Sequence, residues 1–204
     1  MNVSRETQVR LDVFAREFTR WNARSNLSSR THPGELTERH IEDSLQLIPL
    51  APKEGSWVDV GTGGGFPGAV LAAVFAETGR SITMIESNAK KAAFLRSACL
   101  AMKVPANVLN ERAEAVVARE RPPAVVSARA VAPLRRLFTL LQLWLAEPGT
   151  LGLFPKGREV ETEIDDAARE WDFDLVRHPS RTAADGTILA VTRLRPKNRR
   201  DPRG

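Results

Sequence analysis

Asp59 stands two residues before a run of glycines, Gly61-Thr-Gly63-Gly-Gly65-Phe66-Pro67-Gly68, within the segment VDVGTGGGFPG at residues 58–68. Glycines in such a turn let the backbone adopt unusual angles and let a ligand approach without a β-carbon in the way. The pattern alone admits two cofactors. Gly63-x-Gly65-x-x-Gly68 satisfies the dinucleotide fingerprint. A carboxylate at Asp59, however, sits badly beside a pyrophosphate and suits a cationic ligand carrying an amino group, such as S-adenosylmethionine. Pro67 stands where a helix should start, which is harmless to the helix but removes one N–H that a pyrophosphate would use. Glu86 lies 25 positions after Gly61, at the end of a second strand, where a carboxylate can accept from both ribose hydroxyls. That feature fits either cofactor and speaks against a purely structural turn.

These residues need a sheet to hold them. WVDV (57–60), SITMIE (81–86), Asn107–Leu109, PAVVSA (123–128) and TLGLF (150–154) read as strands. They alternate with helical stretches at Pro67–Glu77, 88–103, 133–145 and the acidic segment Glu159–Trp171. FDLVRH (173–178) and TILAVTRL (187–194) are separated by a polar loop containing Asp185-Gly186, too short for a helical crossover, so they are expected to pair antiparallel. In front, Leu11, Phe14, Phe18 and Trp21 form one helical stripe and Ile41, Leu45 and Ile48 another, ended by Pro49 and Pro52. The expected fold is α/β: a doubly wound, mostly parallel seven-stranded sheet with an antiparallel last strand. Residues 1–53 form a helical extension, 54–194 the Rossmann-like core and 195–204 a basic tail of one domain.

Composition sets outer bounds. The 204 residues are 42 % hydrophobic and 27 % charged, ordinary values for a soluble globular chain. No run of eighteen apolar residues exists to span a bilayer. The charged start MNVSRETQVRLDVF lacks the apolar core of a signal peptide, so the cytoplasm is the expected location. The net charge is +5. Residues Arg195 to Arg203 hold five basic side chains against Asp201, and such a tail either screens phosphate on a polyanion or merely solubilises a terminus. His32, His40, His178 and the lone Cys99 give no metal-ligand spacing.

The chain resembles a specific family, the bacterial small-subunit ribosomal RNA guanine-N7 methyltransferases (RsmG or GidB). The likeness runs in order through Trp21-Asn22 with Asn26-Leu27, Arg39-His40 with Asp43-Ser44, DVGTGGGFPG, and Lys90-Lys91 with Phe94-Leu95. It continues through Arg112-Ala113-Glu114, Ser127-Ala128-Arg129-Ala130-Val131-Ala132-Pro133-Leu134 and Lys156-Gly157. Pro155 departs from the Leu or Ala that the family carries before the last pair. The resemblance implies a class I methyltransferase that moves a methyl group from S-adenosylmethionine to N7 of a specific guanine in 16S ribosomal RNA. It implies cofactor contacts from Gly61 and Phe66, an adenine site at Ala113 and Glu114, and Arg129 against cofactor or substrate. With Asp59, Gly63, Gly65 and Glu86, these make up the expected cofactor set. Lys90, Lys91, Arg129, Lys156, Arg199 and Arg200 are candidates for RNA contact. The resemblance implies small-subunit RNA or the 30S subunit as partner; no membrane is expected, and the sequence gives no reason to expect a dimer.

The residue types agree with that chemistry. Methylating C5 of a pyrimidine needs a thiolate, and Cys99 lies with Phe94, Leu95 and Met102 on what reads as the buried face of a helix. Methylating an exocyclic amine commonly uses an Asp/Asn-Pro-Pro-aromatic turn, absent after the fourth strand. Guanine N7 has an exposed lone pair and no proton to lose, so alignment suffices and no general base is expected. Because methylated N7 becomes cationic, Arg129 is expected to hold a carboxylate or phosphate instead of facing N7. His40, three residues before Asp43, is expected either in a cluster joining the front helices to the sheet or in contact with RNA or a cofactor lid. Two other readings are a dinucleotide-dependent oxidoreductase and a non-catalytic ribosome assembly factor on the same fold.

Overall fold

A computed structural model of the chain describes residues 3–25, 27 and 35–197. Asn26, His32, Arg199 and Arg200 lie outside the described residues. Seven strands form one sheet: β1 (Trp57–Val60), β2 (Ile82–Ile85), β3 (Asn107–Leu109), β4 (Val125–Ala128), β5 (Leu151–Lys156), β6 (Trp171–Pro179) and β7 (Thr187–Pro196). Their order is β3-β2-β1-β4-β5-β7-β6. The first five strands pair in parallel, and β7 runs antiparallel between β5 and β6. The chain reverses direction across the sheet between β1 and β4, and ligands in such sheets bind beyond the strand ends at that point.

Among the described residues seven α-helices cover the sheet: α1 (Arg5–Ser25), α2 (Glu35–Leu45), α3 (Gly68–Thr78), α4 (Ala89–Met102), α5 (Ala113–Arg119), α6 (Leu134–Leu145) and α7 (Val160–Ala168). Side chains on a strand alternate between faces. Trp57 accordingly packs toward α3 and α4, while Val60 packs toward α5, α6 and α7. The α1 stripe lays Phe14 and Phe18 against Phe66 and Phe94, with Leu11 buried in the same core, all three nearly inaccessible. Each such large apolar side chain contributes roughly 1.5–3 kcal/mol through burial, so the front helix belongs to the core. No helix among the described residues is long and apolar enough to cross a membrane.

Several elements differ from the sequence reading. Ile48 does not extend the stripe of α2: the helix stops at Leu45 and Ile48–Leu50 form a separate 3-10 turn containing Pro49. The acidic helix ends at Ala168, and Trp171 opens β6. The short helix α5 was not foreseen, because its buried face consists of Val116 and Val117 alone. At the far end β7 reaches Pro196, two residues into the expected tail.

Candidate functional site

The glycine turn is built from β1 outward. Gly61 and Gly63 have φ of +64° and +57°, angles that residues with a β-carbon adopt at a cost. A β-carbon on Gly61 would also lie 2.6 Å from Cγ2 of Val131. Most of the turn's amides are bonded within the protein. Gly61 and Thr62 donate to the Ile85 carbonyl, and Gly65 donates to that of Thr62. Gly63 donates to Glu86 Oε2 at 2.9 Å and Gly68 to Asp59 Oδ2 at 3.0 Å. Few donors are left there for a pyrophosphate, whose binding at such a turn depends on free backbone N–H groups.

Asp59 has no exposed surface. Ser127, its register partner on β4, donates to Asp59 Oδ1 at 2.7 Å and itself accepts from Trp57 Nε1 at 2.9 Å. Burial pushes the Asp59 carboxyl up to about 6, against the pull of the neighbouring Thr62 hydroxyl and of the bonds from Ser127 and Gly68. Asp59 thus ties β1, β4 and the first turn of α3 together. Expected to meet a ligand directly, it is sealed beneath the loop instead.

Two clefts open at the carboxyl edge of the sheet. One, of about 290 Å³, lies over β1 and β2 and is lined by Gly61, Ser87, Ala113, Glu114 and Val131. Gly61, Ala113 and Glu114 therefore come together as expected. The Glu114 side chain is largely exposed and pairs with Arg112 at 3.6 Å. Glu86 stands next to the cleft, 8 % exposed. Its oxygens accept from Gly63 N and, at 2.7 Å, from Asn88 N, leaving each a lone pair. Asn110, unsuspected in the sequence, donates to the carbonyls of Glu86 and Ser87 and fixes this edge.

The second cleft, of about 510 Å³, lies beyond β4 and β5 and includes Asp43, Gln46, Arg129, Lys156, Glu163 and Asp185. Val131 and Ala132 line both clefts and form the wall between them. The wall is tightly set, since Ala130 before it holds φ +55°, a strained angle for a residue with a β-carbon.

Arg129 holds a carboxylate, and that carboxylate is the protein's own. Its Nη1 lies 3.4 Å from Asp43 Oδ2 and 3.1 Å from His40 Nδ1, and its guanidinium sits 5.5 Å from the centre of the Phe66 ring. The His40 ring packs 5.1 Å from that of Phe66, so His40 joins the front helices to the sheet. Burial works to raise the Asp43 carboxyl, but His40, Thr182 and Arg129 together hold it below the usual range. Phe66, expected at the cofactor, is 6 % exposed and packs edge-on against Phe14 and Phe18. Gly65, beside it, is likewise buried.

The β6–β7 loop docks on this cluster. Thr182 donates to Asp43 Oδ1, as does Gln46 at 3.2 Å, and Arg181 N donates to Gln46 Oε1 at 2.9 Å. Nothing in the spacing of these polar loop residues announced that contact.

The lysine candidates divide. Lys90 and Lys91 start α4, where Asn88 Oδ1 accepts from both their amides; Lys90 is exposed and Lys91 half-buried. Lys156 is not held out toward an external phosphate. Its side chain is 9 % exposed, and Nζ donates to Glu163 Oε2 at 2.6 Å and to the Ala132 carbonyl at 2.9 Å. Cys99 is buried, and burial pushes its thiol up to about 11. Among the described residues no group of His, Cys, Asp and Glu is arranged to hold a metal ion.

A doubly wound sheet with one antiparallel strand next to its edge, bearing adjoining clefts at its switch point, is the fold of the class I methyltransferases. Solved structures share it: MtNAS in complex with MTA and tNA superposes with a TM-score of 0.62 at 16 % identity, over 89 % of this chain and 70 % of that one. The O-methyltransferase from Bacillus cereus in complex with SAH gives 0.61 at 17 %, over 88 % and 90 %. At these identities the likeness concerns the fold alone. The chain belongs to the rRNA small subunit methyltransferase G family, whose model (GidB) matches residues 7–188. The ribosomal RNA small subunit methyltransferase G of Brucella ovis is 46 % identical over 196 residues, 96 % of this chain and 92 % of that protein.

Proposed function

We propose that this protein transfers a methyl group from S-adenosylmethionine to N7 of a guanine in 16S ribosomal RNA, on the free RNA or within the small subunit. The observation that carries this reading is the pair of clefts sharing Val131 and Ala132 as their wall. A methyl donor in one cleft and a base in the other would meet at the rim these two residues form, since N7 must touch the methyl carbon directly. S-adenosylmethionine, when bound, supplies an electrophilic methyl on its sulfonium: N7 forms the new carbon–nitrogen bond as the carbon–sulfur bond breaks, leaving a thioether and a cationic base.

The residues present fit that cofactor. The free lone pairs of Glu86 suit ribose hydroxyls, and Ala113 with Glu114 offers an edge for adenine. The turn amides spent on Ile85, Thr62, Glu86 and Asp59 disfavour a dinucleotide. Asp59, Gly61, Gly63 and Gly65 support the cofactor by shaping the turn, and Phe66 by anchoring it to α1. N7 carries no proton, so the chain's task is to hold it in line, which by itself can supply many orders of magnitude in rate. Arg129, held by Asp43 and His40, orders the acceptor cleft without pressing a cation on N7. Lys90 and Lys91 are RNA-contact candidates, as are Arg199 and Arg200 of the basic tail. Such a substrate is met in the cytoplasm.

The test is incubation with methyl-labelled S-adenosylmethionine and small subunits lacking the modification, followed by nucleoside analysis of the RNA. Label in 7-methylguanosine is expected. Transfer to protein, lipid or a small molecule, or binding of NADH in preference to S-adenosylmethionine, would sink the reading.

A further inference from the structure

We propose that the ion pair of Lys156 and Glu163 reads the O6 and N1–H edge of the acceptor base, selecting guanine over adenine. The inference rests on the methyl-transfer reading above and adds the groups that choose the base. Both side chains line the acceptor cleft. They are tied to its inner wall, because Lys156 Nζ donates to the carbonyl of Ala132, which borders both clefts.

The pair has capacity to spare. Glu163 Oε2 accepts from Lys156 Nζ at 2.6 Å and from Leu134 N at 2.7 Å. Oε1 makes no hydrogen bond among the described residues. Lys156 Nζ has three protons, of which Glu163 and Ala132 take two. One donor and one acceptor are thus left side by side. The other carboxylates of the cleft are otherwise committed. Asp43 is occupied by Thr182, Gln46 and Arg129, and Asp185 pairs with Arg158 at the surface.

Guanine presents an acceptor, O6, next to a donor, N1–H; adenine presents the reverse, an amino group next to a bare N1. The Lys156–Glu163 pair complements the first and opposes the second. On guanine O6 also neighbours N7, so a contact from Lys156 to O6 would hold N7 close to the Ala132 wall. Glu163 offsets the charge of Lys156, which avoids placing a bare cation beside a nitrogen that becomes positive.

The experiment uses the full chain, S-adenosylmethionine and small subunits reconstituted with 16S RNA altered only at the target guanine. Inosine keeps O6 and N1–H, and 1-methylguanine keeps O6 but lacks N1–H. The wild type should methylate inosine within about threefold of guanine and 1-methylguanine at least about tenfold more slowly, the range for one base-edge contact. Glu163→Gln should lower kcat/KM by about 10- to 100-fold equally on guanine and inosine, with S-adenosylmethionine affinity unchanged. Should this variant fail to fold, the altered bases on the wild-type protein decide. Equal use of 1-methylguanine, refusal of inosine, or a folded Glu163→Gln protein with wild-type rates would each overturn the proposal. If the wild type leaves guanine N7 itself unmethylated, the methyl-transfer reading fails first and the inference falls with it.

Discussion

The Arg129 guanidinium and the Asp43 carboxylate, 3.4 Å apart, join the end of β4 to α2 across 86 residues of sequence. Asp43 also accepts from Thr182 and Gln46, so one carboxylate gathers three segments around the acceptor cleft. Removing it by Asp43→Ala leaves several donors unmatched in a half-buried place, which should lower unfolding stability by about 1–3 kcal/mol. Acceptor KM should rise while S-adenosylmethionine affinity, measured by calorimetry, stays near wild type. A variant that loses cofactor binding instead would move this cluster to the other cleft.

Gly61→Ala tests the wall. The new β-carbon would meet Val131 at 2.6 Å, from a backbone with φ +64°. The angle alone costs roughly 1–2 kcal/mol, and Val131 must shift as well. Lower thermal stability is expected, together with S-adenosylmethionine binding weakened by about tenfold, equivalent to about 1.4 kcal/mol. Unchanged affinity would show that the wall and the cofactor are independent.

The strand pattern and the α1 stripe were legible because buried strands are short apolar runs and Leu11, Phe14 and Phe18 recur at helical spacing. The glycine turn was legible as a ligand loop by its position. Its inner bonding was not: a carboxylate at Asp59 reads alike in sequence whether it meets a ligand or a Gly68 amide. Lys156 was equally ambiguous, since its sequestration depends on Glu163, seven residues away on another element. The contact of Thr182 with Asp43 spans 139 residues, and a Thr in a polar loop carries no periodic signal. Helix α5 escaped because two buried valines make no stripe.

Cys99 should be dispensable. Its pKa, pushed up by burial to about 11, leaves about a thousandth of the thiol ionised at pH 8, so iodoacetamide should not label the folded protein. Cys99→Ala should keep kcat within about twofold, since no thiolate attack is involved, and should lower stability by about 1 kcal/mol for the lost packing. Abolished transfer in a folded Cys99→Ala protein would revive covalent catalysis.

Asp59 gives the stability curve a recognisable pH signature. Its carboxyl is raised from 3.8 to about 6 in the folded state by burial, so the folded chain binds this proton more tightly than the unfolded chain. Its contribution to stability is fully present below the unfolded value and is lost as pH rises through about 6. The shift corresponds to about 3 kcal/mol, most of it lost between pH 4 and 7. Asp59→Asn removes the titration but keeps an oxygen that can accept from Gly68. Whatever its stability at pH 4, the variant should gain on wild type by about 2–3 kcal/mol on going to pH 7. Urea unfolding of both proteins across that range measures the gain. Two parallel curves would mean that Asp59 titrates as it does in the unfolded chain, and that water reaches the carboxylate beneath the glycine turn.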